Sequence, residues 1–308
     1  MATYLVTQAT GSQSQWVIKH LLNDGAKVHA VVRDLSKVPP LLKDPRITLF
    51  QGESQNVDEI FAAAQGCQGV FLNTFPVPGL ETAQAQGIVD AAKKAGLRHV
   101  VASTVCLADK PAYWDNALGD KSQLRDYYRS KAAVEDIVRR SGLEAYTIIR
   151  PAVLQQDYMV PHSYMNFPEL PTKGELAHCL VDGARVPHTD NYDAGKFAAA
   201  ALQDPTRFAG QEIDIVNEAL TIEEVRDAIV KASGRKVRVR RRSPEEVEKT
   251  LQTVFGQRFH IIANEKDFGA PEFAAAARAT QSKFGIPFTS LEGTLQRERA
   301  HLLESIPA

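Results

Sequence analysis

Tyr4-Leu-Val-Thr-Gln-Ala-Thr-Gly-Ser-Gln-Ser14, running into the amphipathic stretch Gln15–Asn23, is the part of the chain that decides the fold. A short apolar, β-branched run, a turn holding Gly11 and a helical pattern make one βα unit. The same rhythm continues outward. Tyr4–Thr7, Lys27–Arg33, Ile47–Gln51, Gly69–Asn73, His99–Ser103 and Ala145–Arg150 read as six strands. Val17–Asn23, Val57–Gln65, Ala83–Ala95 and Leu124–Ser141 read as the helices between them. Gly25, Gly66, Gly96 and Gly142 follow the helical stretches, where a left-handed C-cap favours glycine. Strands alternating with helices at this spacing predict an α/β protein with a doubly wound parallel sheet, Rossmann-like.

After Pro151 the pattern changes. Proline and irregular sequence fill Gln155–Gly174, and later helices are separated by short strand-like runs at Glu212–Val216 and Lys236–Arg240. Thr221-Ile-Glu-Glu224 and Ser243-Pro-Glu-Glu246 have the spacing of capping boxes. The expected division is a dinucleotide-type domain, 1–152 with about 187–204, and a smaller C-terminal α/β substrate subdomain, about 153–186 with 205–308.

Thr7–Ser14 lies where a dinucleotide fold sets its phosphate loop, with backbone N–H groups and a helix N-terminus as donors. Of the Gly-x-x-Gly-x-x-Gly pattern only Gly11 is present; Gln8 and Ser14 hold the other two places. Gln8 brings a Cβ into the tight turn, and Ser14 is expected to widen the contact between helix and strand. Thr10, Gly11, Gln13 and Ser14 are the loop's candidate cofactor contacts, against the alternative of a vestigial structural turn. Arg33 and Lys37 close the second strand, where an arginine accommodates a 2′-phosphate and an acid would accept a ribose hydroxyl. That points to NADP(H) rather than NAD.

Tyr127-Tyr-Arg-Ser-Lys131 falls inside a helical stretch, so Tyr127 and Lys131 share a face. An ammonium beside a phenol favours its ionised form, and such a tyrosine can exchange a proton with a carbonyl or alcohol. Ser103 and Thr104, at the carboxyl end of the fifth strand, are the candidate hydroxyls for orienting that oxygen. Tyr158, Met159, His162, Tyr164 and Met165, in a proline-bounded loop, are candidates for a substrate pocket.

Val6-Thr-Gln-Ala-Thr-Gly11, Val32-Arg-Asp34, Val100-Val-Ala-Ser-Thr104, Tyr127-Tyr-Arg-Ser-Lys-Ala-Ala-Val-Glu135 and Thr147-Ile-Ile-Arg-Pro151 resemble the extended and atypical short-chain dehydrogenase/reductases. The combination most resembles their NmrA-like branch, over essentially the whole chain. The resemblance implies that Gly11 contacts pyrophosphate and that Arg33 and Lys37 contact the 2′-phosphate. It also implies that Asn73 and Thr74 border the cofactor and that Pro151 lies near the nicotinamide. Thr104, more than Ser103, matches the hydroxyl position, and Tyr127 with Lys131 the acid/base pair; Lys131 is also a candidate cofactor contact, at the ribose. Gln8, Ser14 and Glu53 depart from the family pattern.

The function expected is an NADP(H)-dependent oxidoreductase acting on a small, largely apolar carbonyl or enone. Two other readings stay open: an NADP-binding redox sensor that acts on a protein partner, and a redox-neutral isomerase, dehydratase or cyclase.

Composition narrows the classes further. The 308 residues carry 36 basic and 37 acidic side chains, a net charge of −1 that argues against general attraction to nucleic acid or anionic membranes. No apolar run approaches the roughly 20 residues of a membrane span. Cys67, Cys106 and Cys179 are too sparse for a disulfide framework or a zinc finger and suit a reducing compartment. No metal site is expected, since His178, Cys179, His188, Asp190 and Asp193 have no ligand spacing. Arg235–Arg242, with Val237 and Val239 alternating, reads as a strand with a solvated basic face. A cytoplasmic monomer or homodimer is expected.

Overall fold

Parallel strands cannot be joined by tight turns, and here helices supply the crossovers. In the computed structural model, which describes residues 1–308, the first half runs β1 (Thr3–Val6), α1 (Ser12–Asn23), β2 (Lys27–Val32), β3 (Ile47–Gln51), α2 (Val57–Ala64), β4 (Gly69–Leu72), α3 (Leu80–Lys94), β5 (His99–Ser103), α4 (Ala117–Ser122), α5 (Arg125–Arg139) and β6 (Ala145–Pro151). Then come β7 (Val153–Leu154), β8 (Glu175–His178), β9 (Val186–Thr189), β10 (Gln211–Ile215), β11 (Glu218–Leu220) and β12 (Arg238–Arg241), with helices between.

Seven strands form one sheet in the order β3-β2-β1-β4-β5-β6-β10, every neighbouring pair parallel. Strand order reverses at β1, so the crevice at the carboxyl ends of β1 and β4 is the topological switch point. Thr7 pins that crevice. Its hydroxyl donates to the Phe71 carbonyl at 3.0 Å and accepts the Asn73 N–H at 3.1 Å. On one face Leu5, Val31, Val100 and Ile148 pack with Ile60 of α2, Ile88 of α3 and Val134 of α5. On the other, α1 meets the Asn191–Gln203 helix so closely that a Cβ on Gly195 would sit 2.5 Å from the Trp16 Cβ.

The chain falls into two units. One holds 1–109, 126–151 and 191–215; the other holds 110–125, 152–190 and 216–308. Two segments leave the places that sequence assigned them. Gln211–Ile215 pairs with β6 in the main sheet and not with the smaller unit, register Gln211 to Thr147 through Ile215 to Pro151. Residues 187–190 stay with the smaller unit, because β9 pairs with β11 and β7, and the Thr189 hydroxyl accepts the Ala152 N–H at 2.8 Å. Residues 110–125 likewise cluster with that unit.

Within the smaller unit both capping boxes form, Thr221 with Glu224 and Ser243 with Glu246. β12 pairs in parallel with β8, and its cations are met by carboxylates: Arg240 by Glu175 and Glu246, each at 2.8 Å, and Arg241 by Asp182 at 3.2 Å. The unit also buries imidazoles. His188 is held at about 4, chiefly by burial, and His260 at about 3, by burial and then by the charges of His178, Arg242 and His188.

Both buried histidines are folded neutral but protonate near 6.5 once unfolded, so their stabilisation is complete above pH 6.5 and is lost as pH falls towards 4 and 3. His260→Leu should therefore flatten the stability–pH curve between pH 6 and 4 by up to about one proton, ~1.4 kcal/mol per pH unit. Urea titrations at several pH values measure this, and an unchanged slope contradicts it.

Candidate functional site

The phosphate loop is built differently from a three-glycine turn. Gln8 takes the left-handed conformation itself, φ +47°, which costs a non-glycine residue about 1 kcal/mol. Its carboxamide is anchored in return: Nε2 donates to Gln84 Oε1 at 3.1 Å, and the same oxygen accepts the Phe75 N–H at 2.8 Å. Ser14 is fully buried and ties the contact that it was expected to widen. Its hydroxyl donates to the Thr7 carbonyl at 3.0 Å and accepts from Asn73 Nδ2 at 3.3 Å. Gly11 is needed for space, since a Cβ there would lie 3.2 Å from the Gln8 carbonyl oxygen.

The donor set fits a dinucleotide. Gly11, as N-cap of α1, offers no side chain to the first N–H groups, and the first turn carries no acid. A phosphate is the natural partner of such a terminus. Thr10 accepts from Gln15 Nε2 through its carbonyl at 2.9 Å. At the end of β2, Arg33 is exposed and lacks an ion-pair partner, whereas Lys37 is 3.3 Å from Asp34.

On α5, Tyr127 is half-buried and Lys131 is buried, its ammonium over the Tyr127 ring at 5.7 Å from the centroid. The adjacent Tyr128 packs edge-on against Tyr127 at 5.4 Å, and burial pushes its phenol well above the usual range. Tyr128 is thus core. Lys131 also has a partner that no local pattern foretold. Glu81, in the first turn of α3, lies 2.6 Å from the Lys131 ammonium, and its side chain is 0% exposed. The Thr74 hydroxyl donates to the same Glu81 oxygen at 2.7 Å.

The two hydroxyls after β5 are also engaged. Ser103 donates to Gln13 Oε1 at 2.7 Å, and Thr104 donates to Glu135 Oε1 at 2.8 Å. Glu135 is gripped by Arg150 through both oxygens, at 2.8 and 2.7 Å, and by Arg139 at 2.7 Å. Glu212 joins the network and is held at about 2, first by its hydrogen bond to Arg139. Pro151 ends β6, and its carbonyl accepts the Cys106 N–H at 2.8 Å.

The candidate pocket residues do not form one wall. Tyr158 and Met159 are buried; Tyr158 stacks on Phe167 at 4.9 Å and its hydroxyl meets His188 Nε2 at 2.7 Å. The cavity beside Tyr158, lined also by Asp157, Phe167 and His260, is about 20 Å³, room for one water. His162 is half-buried, while Tyr164 is 56% exposed. Burial pushes the Cys67 and Cys179 thiols up to about 12 and about 11, which makes them poor nucleophiles. Glu81 precedes the Ala83–Ala95 stretch that the sequence marks as helical and Gln84 stands at its start, so neither carries a local signal. Glu135 lies inside the Tyr127–Glu135 motif, whose pattern gives it no separate role.

A parallel sheet with its phosphate loop at the switch point, a basic β2 end and a Tyr-x-x-x-Lys helix together define a dinucleotide-type protein of the short-chain dehydrogenase/reductase kind. More narrowly, the chain belongs to the NmrA-like family, whose family model matches residues 2–292. It is 26% identical to the nitrogen metabolite repression protein nmrA of Emericella nidulans over 302 residues, 92% of this chain and 82% of that protein. It is 29% identical to an NAD(P)H azoreductase of Xenophilus azovorans, over 76% of this chain and 75% of the other. Among solved structures, NmrA, a negative transcriptional regulator, in complex with NADP superposes with a TM-score of 0.75 at 24% identity, covering 99% and 96% of the two chains. The NADPH-dependent quinone oxidoreductase QOR2 of Escherichia coli, complexed with NADPH, gives 0.71 at 20% identity, covering 96% and 99%. No helix is long and apolar enough to cross a membrane.

Arg150→Met would leave Glu135 buried with its main counter-ion gone, lowering stability by about 3–5 kcal/mol in urea unfolding. Glu135→Leu combined with Arg150→Met should recover most of that loss; an equally large loss in the double variant would show that the pair does not act as a unit.

Proposed function

We propose that this chain is an NADP(H)-dependent oxidoreductase acting on a small, largely apolar carbonyl or enone. The observation that carries this reading is the placement of Tyr127 and Lys131 on one face of α5, in the same unit as an α1 N-terminus with no side-chain cap and no acid in its first turn. The azoreductase relative and the NADP and NADPH complexes of the structural neighbours support the cofactor. Residues Thr10, Gly11, Gln13 and Ser14 would take the pyrophosphate, and Arg33, with Lys37 partly neutralised by Asp34, the 2′-phosphate. Asn73, Thr74 and Pro151 would border the nicotinamide end.

When bound, the reduced cofactor supplies a hydride to the substrate carbon. Tyr127 then gives its proton to the substrate oxygen, and Lys131 holds the surrounding charge. Ser103 and Thr104, whose protons are committed to Gln13 and Glu135, position Gln13 and α5. Tyr164, Met165 and the half-buried His162 are the accessible members of the candidate pocket set. Three free cysteines with no disulfide among them fit a reducing setting, so a cytoplasmic site of action is proposed.

A second reading is favoured by one observation: the nmrA relative, matched over 92% of this chain, is a repression protein. On that reading the same dinucleotide face serves a sensor that acts on a protein partner.

Calorimetry with NADPH, NADP and NAD decides first; binding of none of them would sink both readings. Arg33→Ala should weaken NADPH by about tenfold while leaving NADH nearly unchanged, and equal effects would contradict the 2′-phosphate assignment. With a panel of quinones, enones and azo compounds, Tyr127→Phe should lower turnover by about 10²–10⁴-fold and keep NADPH affinity. Tight NADPH binding with no turnover on any of the panel favours the sensor.

A further inference from the structure

Glu81 is an acid with no place in the sequence pattern, and it lies wholly inside the protein. Its carboxylate stands where three positive influences converge: the N-terminal end of the α3 dipole, the Thr74 hydroxyl at 2.7 Å and the Lys131 ammonium at 2.6 Å. The second oxygen, Oε2, is buried without a hydrogen-bond partner. Burying two opposite charges gains little stability over well-packed apolar residues of the same volume, so the pair calls for a purpose other than holding α3 to α5.

The purpose follows from where Lys131 stands. An isolated ammonium 5.7 Å from the Tyr127 ring would draw the phenol strongly towards its ionised form. A carboxylate 2.6 Å from that ammonium turns the lone charge into a dipole, whose field falls off far faster. We propose that Glu81 is the charge-setting residue of the Tyr127–Lys131 motif: by pairing with Lys131 it keeps the Tyr127 phenol in its proton-bearing form, and so biases the site towards delivering a proton to a substrate oxygen. Glu81 acts through Lys131 and is a positioning residue. The inference rests on the reading of Tyr127 as the proton-transfer group.

A purely structural clamp makes a different prediction, since removing it would cost stability and leave Tyr127 alone. The test is a spectrophotometric titration of tyrosinate. Subtracting the curve of the matching Tyr127→Phe protein isolates Tyr127 from the other tyrosines. Glu81→Gln should lower the Tyr127 midpoint by about one to two pH units, because the ammonium is left uncompensated. Glu81→Gln with Lys131→Met should return it to within a few tenths of the parent. An unchanged midpoint in Glu81→Gln, or one that stays low in the double variant, overturns the proposal. Should Glu81→Gln fail to fold, Glu81→Asp retracts the carboxylate by one methylene while keeping its charge. It must lower the midpoint by a smaller step, and no shift there overturns the proposal equally. The titration uses neither cofactor nor substrate, so a protein that binds no NADPH still reports on Glu81.

Discussion

The buried pair of Glu135 and Arg150 is the constraint on which the rest of the site depends. Arg150 is on β6, between β5 and β10, and Glu135 is on α5, one helical turn beyond Lys131. The guanidinium meets the carboxylate through two nitrogens, reaches Glu212 of β10 with one of them, and lies 3.3 Å from Asp109 with its third. Two charges can be buried only when each has geometrically good partners, and this fork supplies them. The result fixes both the depth and the rotation of α5 over the sheet. Tyr127 and Lys131 share a face at successive turns, and Lys131 reaches Glu81, which also holds Thr74 just beyond β4.

The same arrangement is used twice along that helix. At Lys131 a cation on α5 meets Glu81, and a strand-end hydroxyl, Thr74, donates into the carboxylate. One turn further on, a carboxylate on α5 meets Arg150, and another strand-end hydroxyl, Thr104, donates into it. The charges are exchanged but the logic is the same: each buried acid receives one hydroxyl proton and at least one cation, Lys131 for Glu81, and Arg150 and Arg139 for Glu135. Thr104, which matches the family's hydroxyl position, is engaged inside the protein, with Glu135 as its acceptor. Its proton stabilises a carboxylate whose loss of partners would be costly. On the proposed reading, proton transfer falls to the Tyr127 phenol.

What could be read from the sequence is what is local. The six strands fall within a residue or two of their alternating runs, because β-branched and apolar residues bounded by glycines leave few alternatives. The Tyr127–Lys131 spacing is legible for the same reason, since one helical turn brings the two together whatever surrounds them. Glu212–Val216 reads as a strand of the smaller unit, whereas the observed strand, Gln211–Ile215, joins the main sheet; an edge strand in a parallel sheet looks the same whichever sheet receives it, and only pairing with β6 decides. Glu81 was invisible because its meaning comes from a helix far along the chain. Tyr158 and Met159 show the converse error. An aromatic, proline-bounded loop suggested a pocket, whereas the hydrogen bond to His188 and the stack on Phe167 make it core.

The phosphate loop shows most clearly how a motif and its chemistry can separate. Glycines at the first and third places serve a left-handed turn and a close helix–strand contact. Here Gln8 adopts the left-handed turn and is steadied by Gln84, and Ser14 makes the close contact through two hydrogen bonds. The feature a pyrophosphate requires is different: N–H groups at the start of α1 that no side chain caps and no Cβ at Gly11, and both are kept. The missing glycines therefore do not argue against a dinucleotide. Nor does the loop distinguish an enzyme from a sensor, because both would hold the cofactor with β1, α1 and the end of β2. The distinction is made on α5, where a proton either leaves Tyr127 for a substrate or does not.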